Sequence, residues 1–154
     1  MPDALLQGGT GSLSRLQEMP DFLPDRLEAG THNVHGAAGL LEGMKFVRRF
    51  VPGRISHYEG RLIQTLADGL RRRNKYRVFS SDADQSVLSV VPLEVEVETF
   101  AQRLAEKGIA VRAGLHCAPL AHISAGTEKT GTVRFSMSVF NTASEIDYLL
   151  KILP

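Results

Sequence analysis

The sequence predicts an α+β fold, a small and mainly antiparallel sheet covered by helices. Three observations predict it. Ile55, Tyr58, Leu62, Leu66 and Leu70 recur at three- and four-residue steps, the mark of one helical face. Gln85 to Val91 is a short run rich in valine and leucine. Thr132 to Phe140 alternates strictly, with Val133, Phe135, Met137 and Val139 on one side and Arg134, Ser136, Ser138 and Phe140 on the other. Strand and helix periods in this order place residues 85–91, 109–112 and 132–139 in the sheet, under helices near 55–73, 96–107 and 143–153.

Residues 1–30 carry Gly8, Gly9, Gly11, Pro20 and Pro24 and no sustained period of two or 3.6. A stretch without its own secondary structure needs something to lie against, or it is a loose tail. A helix is expected after Asn33, with Val34, Ala37, Leu41, Met44 and Val47 on one face and Pro52-Gly53 as its stop. Gly36, Gly39 and Gly43 weaken it by roughly 1 kcal/mol each relative to alanine, and allow close packing on a neighbour. Thr31 and Asn33 fall at its N-terminus, where either can cap the helix or the unpaired N–H groups can meet an anion. The glycine-rich start and this helix lack a sufficient core of their own and are expected to pack on another chain.

Arg71-Arg72-Arg73, Lys75 and Arg77 follow the next helix; without aromatic interleaving they read as a solvated face at a helix C-terminus. Tyr76 to Ser80 is a short strand, set apart from Gln85–Val91 by an Asp/Ser turn at 81–84. Val97, Phe100, Ala101 and Leu104 mark a further helix, ended by Gly108 in the manner of a C′ glycine. Ile109 to Arg112 is a brief strand. Thr142 and Glu145 form a capping box for a last helix with Ile146, Leu149, Leu150 and Leu153 on its apolar face.

The chain has 154 residues, 43% of them hydrophobic, which suits one packed domain. A formal charge of +1 argues against a general nucleic-acid binder. One cysteine excludes an internal disulfide. No signal-like start and no membrane-length apolar run is present, so the cytoplasm is the default and no membrane is expected.

Chemistry concentrates in Val111-Arg112-Ala113-Gly114-Leu115-His116-Cys117-Ala118-Pro119-Leu120-Ala121-His122. A lone cysteine is commonly a small buried hydrophobe. Set beside basic groups and a flexible glycine, it also suits a reactive loop, because nearby cations favour the nucleophilic thiolate. A zinc site from His116, Cys117 and His122 is discounted: His32, His35 and His57 supply no supporting spacing. A redox role lacks a second cysteine to resolve an oxidised Cys117.

This loop resembles the cysteine-loop motif of class V aminotransferase-fold enzymes, the cysteine desulfurases and selenocysteine lyases. Gly30-Thr31-His32-Asn33, Gly131-Thr132-Val133-Arg134-Phe135-Ser136 and Phe140-Asn141-Thr142 fall in the family's order, so the likeness runs from about Gln7 to the C-terminus. The resemblance implies the small C-terminal domain of a pyridoxal-phosphate (PLP) fold-type I enzyme. Residues 1–33 then form the crossing from a large domain, and 34–154 the small domain. It implies that Cys117 takes sulfur or selenium from a cysteine-like substrate as a persulfide. Arg134 would hold the substrate carboxylate, with Arg112 and His116 beside it. Thr31, with Gly30, would touch the cofactor phosphate across a homodimer interface, and a sulfur-acceptor protein would follow.

The family also uses a lysine that holds PLP as a Schiff base. Lys45, Lys75, Lys107, Lys129 and Lys151 all lack its small-polar, His-Lys context. The expectation is a C-terminal portion that binds no PLP covalently and is inactive without a large PLP-binding domain or second subunit. The alternative is a non-catalytic assembly module derived from the same fold.

Overall fold

The computed structural model describes residues 3–13, 15–51, 53–79 and 84–153. Two compact units make it up, Met1–Phe50 and Val51–Pro154. The expected division after residue 33 followed the family's domains; by packing, the helix after Asn33 goes with the leading segment.

In the first unit, a single-turn 3-10 helix at Asp25–Leu27 precedes α1, Val34–Arg48. The irregular segment is tied largely by hydrogen bonds: Gly30 N–H donates to the Gly9 carbonyl at 2.7 Å, and Leu13 N–H donates to Thr10 Oγ1 at 2.8 Å. Asn33 caps α1, its Oδ1 accepting from Gly36 N–H at 2.9 Å. Gly36 is required there, since a Cβ would lie 2.3 Å from the Asn33 side chain. α1 buries none of its residues. Val34, Leu40, Leu41, Met44 and Val47 are all more than half exposed.

The second unit is an antiparallel sheet in the order β1-β2-β4-β3. The strands are β1 (Tyr76–Phe79), β2 (Val87–Pro92), β3 (Arg112–Gly114) and β4 (Thr132–Ser136). The helices are α2 (Arg54–Arg71), α3 (Val97–Ala105), α4 (Pro119–Ala125) and α5 (Ala143–Ile152). Alternation sends Leu88, Val90, Val133 and Phe135 to one face, where they are buried with Ile63, Leu66 and Leu70 of α2, Phe100 and Leu104 of α3, and Ile146 and Leu149 of α5. α2 and α5 approach closely at Gly69, where a Cβ would fall 2.4 Å from Leu150 Cδ2.

The opposite face presents Phe79, Ser89, Thr132 and Arg134. With Ala121, His122 and Ala125 of α4, and Thr127 after it, the first three wall a cavity of about 150 Å³. Arg77 ties α4 down by donating to the Ala125 carbonyl at 2.8 Å.

The α+β architecture, the helices and the capping box of α5 match expectation. Thr142 Oγ1 accepts from Glu145 N–H, and the Glu145 carboxylate accepts from Thr142 N–H at 2.7 Å. Four details differ. The brief strand is not 109–112 but Arg112–Gly114, because Ile109 and Val111 pack against the core before pairing begins. β4 stops at Ser136, where Asn141 Oδ1 accepts from Ser138 N–H at 2.9 Å and bends the chain. Pro119–Ala125, for which the sequence predicts no element, is the helix α4. Arg73, expected on a solvated face, is half-buried and donates to the carbonyls of Gly69 and Leu150. Of the expected turn at 81–84, residues 81–83 lie outside the described residues. No helix among the described residues is long and apolar enough to cross a membrane.

Candidate active site

The cysteine loop begins where β3 ends. Gly114 has φ +106°, and Gly131, at the foot of β4, has φ +65°. A Cβ on Gly131 would lie 2.9 Å from the backbone of Gly114, so the two segments approach there glycine to glycine. Beyond Gly114, His116 and Cys117 take φ values of +53° and +59°. Two consecutive non-glycine residues in the left-handed region are costly, about 1–2 kcal/mol each. A turn, with Ala118 N–H donating to the Leu115 carbonyl at 2.9 Å, closes the loop just before Pro119 opens α4.

This geometry leaves Cys117 exposed. Arg112 Nη2 lies 3.7 Å from its sulfur. Arg112 and Arg134 are direct partners across the β3–β4 ladder, and Arg134 in turn faces Ser89 on β2. Arg134 is half-buried on the α4 side of the sheet, and its Nε is buried without a hydrogen-bond partner. A thiol beside one guanidinium, with a second opposite that arginine on the next strand, offers one cation to a sulfur anion and another to a carboxylate.

His116 turns away from the thiol. Its Nε2 lies 3.0 Å from Thr132 Oγ1, and its Nδ1 is buried without a hydrogen-bond partner. Burial, then the Arg134 charge and His122, hold its imidazole below the ordinary histidine value, opposed by hydrogen bonding of the ring to the Thr132 backbone. His122 is buried, with Nδ1 2.8 Å from Thr127 Oγ1, and its ring centroid is 5.8 Å from that of His116. Among the described residues no three of His, Cys, Asp and Glu are grouped to hold a metal.

The structure thus brings Arg112, His116, Cys117 and Arg134 together in the second unit. Gly30 and Thr31 belong to the first, where they wall a cleft with Gly9, Thr10, Gly11 and Ser12 beside the start of α1. Of the two roles open to Asn33 and Thr31, Asn33 takes the cap, and Thr31 stays exposed. The sequence does not mark Thr127 and Thr132 as site residues, and it offers His122 only as a candidate metal ligand. Threonines carry no distinguishing spacing. α4 did leave a signal, with Pro119 at its first position and Gly126 at φ +64° after its end.

Known proteins bear on this arrangement. A probable cysteine desulfurase of Mycolicibacterium paratuberculosis is 38% identical over 129 residues, 83% of this chain and 18% of that protein. The cysteine desulfurase CsdA of Escherichia coli, solved as its S-sulfonic acid, superposes with a TM-score of 0.76 at 31% identity, covering 97% of this chain and 37% of its own. The apo cysteine desulfurase of Thermococcus onnurineus NA1 gives 0.76 at 30%, covering 96% and 37%. A more distant fold neighbour, at 17% identity and TM-score 0.62, is a C-DES mutant with glycine covalently linked to the PLP cofactor. The chain therefore spans less than two fifths of each of these relatives. The family model for class-V aminotransferases matches residues 1–149, and by that match the chain belongs to the class-V aminotransferase family, on its cysteine desulfurase-like side.

Proposed function

We propose that this chain carries the sulfur-accepting side of a PLP-dependent cysteine desulfurase or selenocysteine lyase. The observation that carries the reading is the exposed Cys117, whose sulfur lies 3.7 Å from Arg112 Nη2, with Arg134 opposite Arg112 on β4. Arg134 binds the carboxylate of a cysteine-like substrate as a two-pronged donor. Arg112 stabilises negative charge on the Cys117 sulfur. The thiolate attacks the substrate sulfur or selenium. A sulfur–sulfur or sulfur–selenium bond to Cys117 forms, the substrate's bond from that atom to carbon breaks, and the electron pair stays with carbon, which is later protonated.

PLP, where bound, supplies the electron sink that makes the substrate carbon a tolerable leaving group. The residues present fit the phosphate end of that cofactor. Gly30, Thr31 and Thr10 line one cleft at the start of α1, whose first turn carries no acidic side chain; Asp25, which accepts from the Ser12 hydroxyl, is the one carboxylate among the described residues lining it. They do not fit its aldehyde end, since no lysine here has the family context. The lysine is supplied by a large PLP-binding domain or a second subunit, in a homodimeric whole that passes sulfur to an acceptor protein.

Incubation of the purified chain with PLP and cysteine tests the reading. No persulfide is expected until the large domain of a relative is added, and none with Cys117→Ala. Persulfide formed by the isolated chain, with one lysine stoichiometrically modified, overturns the division of labour. The exposed apolar face of α1 favours the second reading, an assembly module without chemistry. Tight binding of the large domain with no persulfide from any thiol or selenol amino acid supports that reading instead.

A further inference from the structure

A histidine beside a reactive cysteine invites the role of its base, and the geometry here excludes that pairing. Nε2 of His116 is engaged with Thr132 Oγ1 at 3.0 Å, and Nδ1 has no hydrogen-bond partner, so neither ring nitrogen reaches the sulfur. The sulfur faces Arg112 instead. Meanwhile the two left-handed residues need an external constraint, because such conformations persist only when the surroundings over-determine them.

We propose that His116 is a positioning residue: clasped to Thr132 at the start of β4, it holds the left-handed His116–Cys117 pair and keeps the thiol on the Arg112 side. The clasp is well anchored. Thr132 is buried and pairs with Gly114 across the β3–β4 ladder, so one residue grips the loop through its backbone at Gly114 and through its hydroxyl at His116. The His116 ring lies beside that of His122, which is fixed by Thr127 Oγ1 at 2.8 Å and by Thr127 N–H donating to its own carbonyl at 2.8 Å. One Thr–His pair thus ties the loop to β4, and the other fixes the α4 histidine whose ring lies beside it. The charged and titratable groups nearest His116 are Arg112, Arg134 and His122.

The role rests on Cys117 being the reacting thiol, and it is read out without cofactor or turnover, so its failure is separate from failure of the desulfurase reading. Iodoacetamide alkylation of Cys117 in the native chain is followed from about pH 6 to about pH 9 for His116→Ala, His116→Gln, Thr132→Val, Thr132→Ser and Arg112→Gln, with circular dichroism to establish folding. His116→Ala and Thr132→Val are expected to slow alkylation at least about threefold, and His116→Ala with Arg112→Gln to be no slower than Arg112→Gln alone. Glutamine and serine, which preserve a hydrogen bond at Nε2 and Oγ1, restore the rate and leave the pH profile unchanged. If His116→Ala fails to fold, Thr132→Val and Thr132→Ser carry the comparison. A rate unaffected by Thr132→Val, or a His116→Gln variant as slow as His116→Ala with an altered pH profile, overturns the proposal in favour of a base or of no role.

Discussion

Arg112 and Arg134 stand directly opposite one another on β3 and β4, two like charges in a cross-strand pair. Such pairs destabilise a sheet, and opposite-charge or apolar pairs in their place gain about 0.2–1 kcal/mol. A sheet built for stability alone would not keep both. Replacing Arg134 with Met is therefore expected to leave the fold intact and raise the melting temperature slightly, while persulfide formation in the reconstituted system is lost. Calorimetry and a persulfide assay on the same sample check it. A less stable Arg134→Met would mean that the guanidinium is needed for packing.

His116 makes stability depend on pH. Its imidazole is held below the ordinary histidine value, by burial first and then by Arg134. The unfolded chain binds a proton there more readily than the folded chain does. Stability from this group is fully present above about pH 6.5 and is lost as pH falls through the lower folded value. Denaturant unfolding at a series of pH values should show that decline, and His116→Gln should flatten it. An equal decline in both proteins would place the acid sensitivity elsewhere.

Gly69 is where α2 meets α5. Its Cβ would press on Leu150, a flexible side chain that can partly yield. Gly69→Ala is expected to cost about 1–2 kcal/mol through overpacking. Combined with Leu150→Ala, it should cost clearly less than the two changes summed, because the second removes the obstruction. Additive losses would show that the contact is not what limits this position.

Gly131 is the harsher case. Its backbone is left-handed and its neighbour is the Gly114 main chain, which cannot swing aside. Gly131→Ala should cost about 2 kcal/mol or more and change Cys117 alkylation as well, since Gly114 leads into the loop. Loss of stability with unaltered alkylation would disconnect the strand foot from the thiol.

Much of the fold was legible because its elements bury one face each. The steps from Ile55 to Leu70 and the valines of β2 and β4 repeat the period of the structure they form. Residues 109–111 misled because apolar side chains that pack on a core need not be paired in a sheet. Most of the candidate site was legible too, through Arg112, Cys117 and Arg134, although resemblance rather than periodicity picked them out. What stayed hidden was direction. The sequence sets His116 beside Cys117, but two left-handed residues send its ring to Thr132, and no local pattern announces that turn. The grip of Arg73 and Arg77 on distant carbonyls was hidden for the same reason: a charged residue after a helix reads as solvated until the chain returns to it.

The sheet is covered unequally, and this sets how the domain opens. Leu88, Val90, Val133 and Phe135 lie beneath three helices, so exposing their amides requires melting the core. Within the second unit, the side that carries the cysteine loop is covered among the described residues by the short α4, whose Leu120 and Ile123 face solvent. Detaching that helix sacrifices little apolar burial and few links, chiefly the bond of Arg77 to the Ala125 carbonyl and the contact between the His122 and His116 rings. Amide protons of α4 should therefore exchange through small local excursions, while those of β2 and β4 wait for global unfolding. Within the second unit, the thiol sits beside a helix that can lift without opening the core.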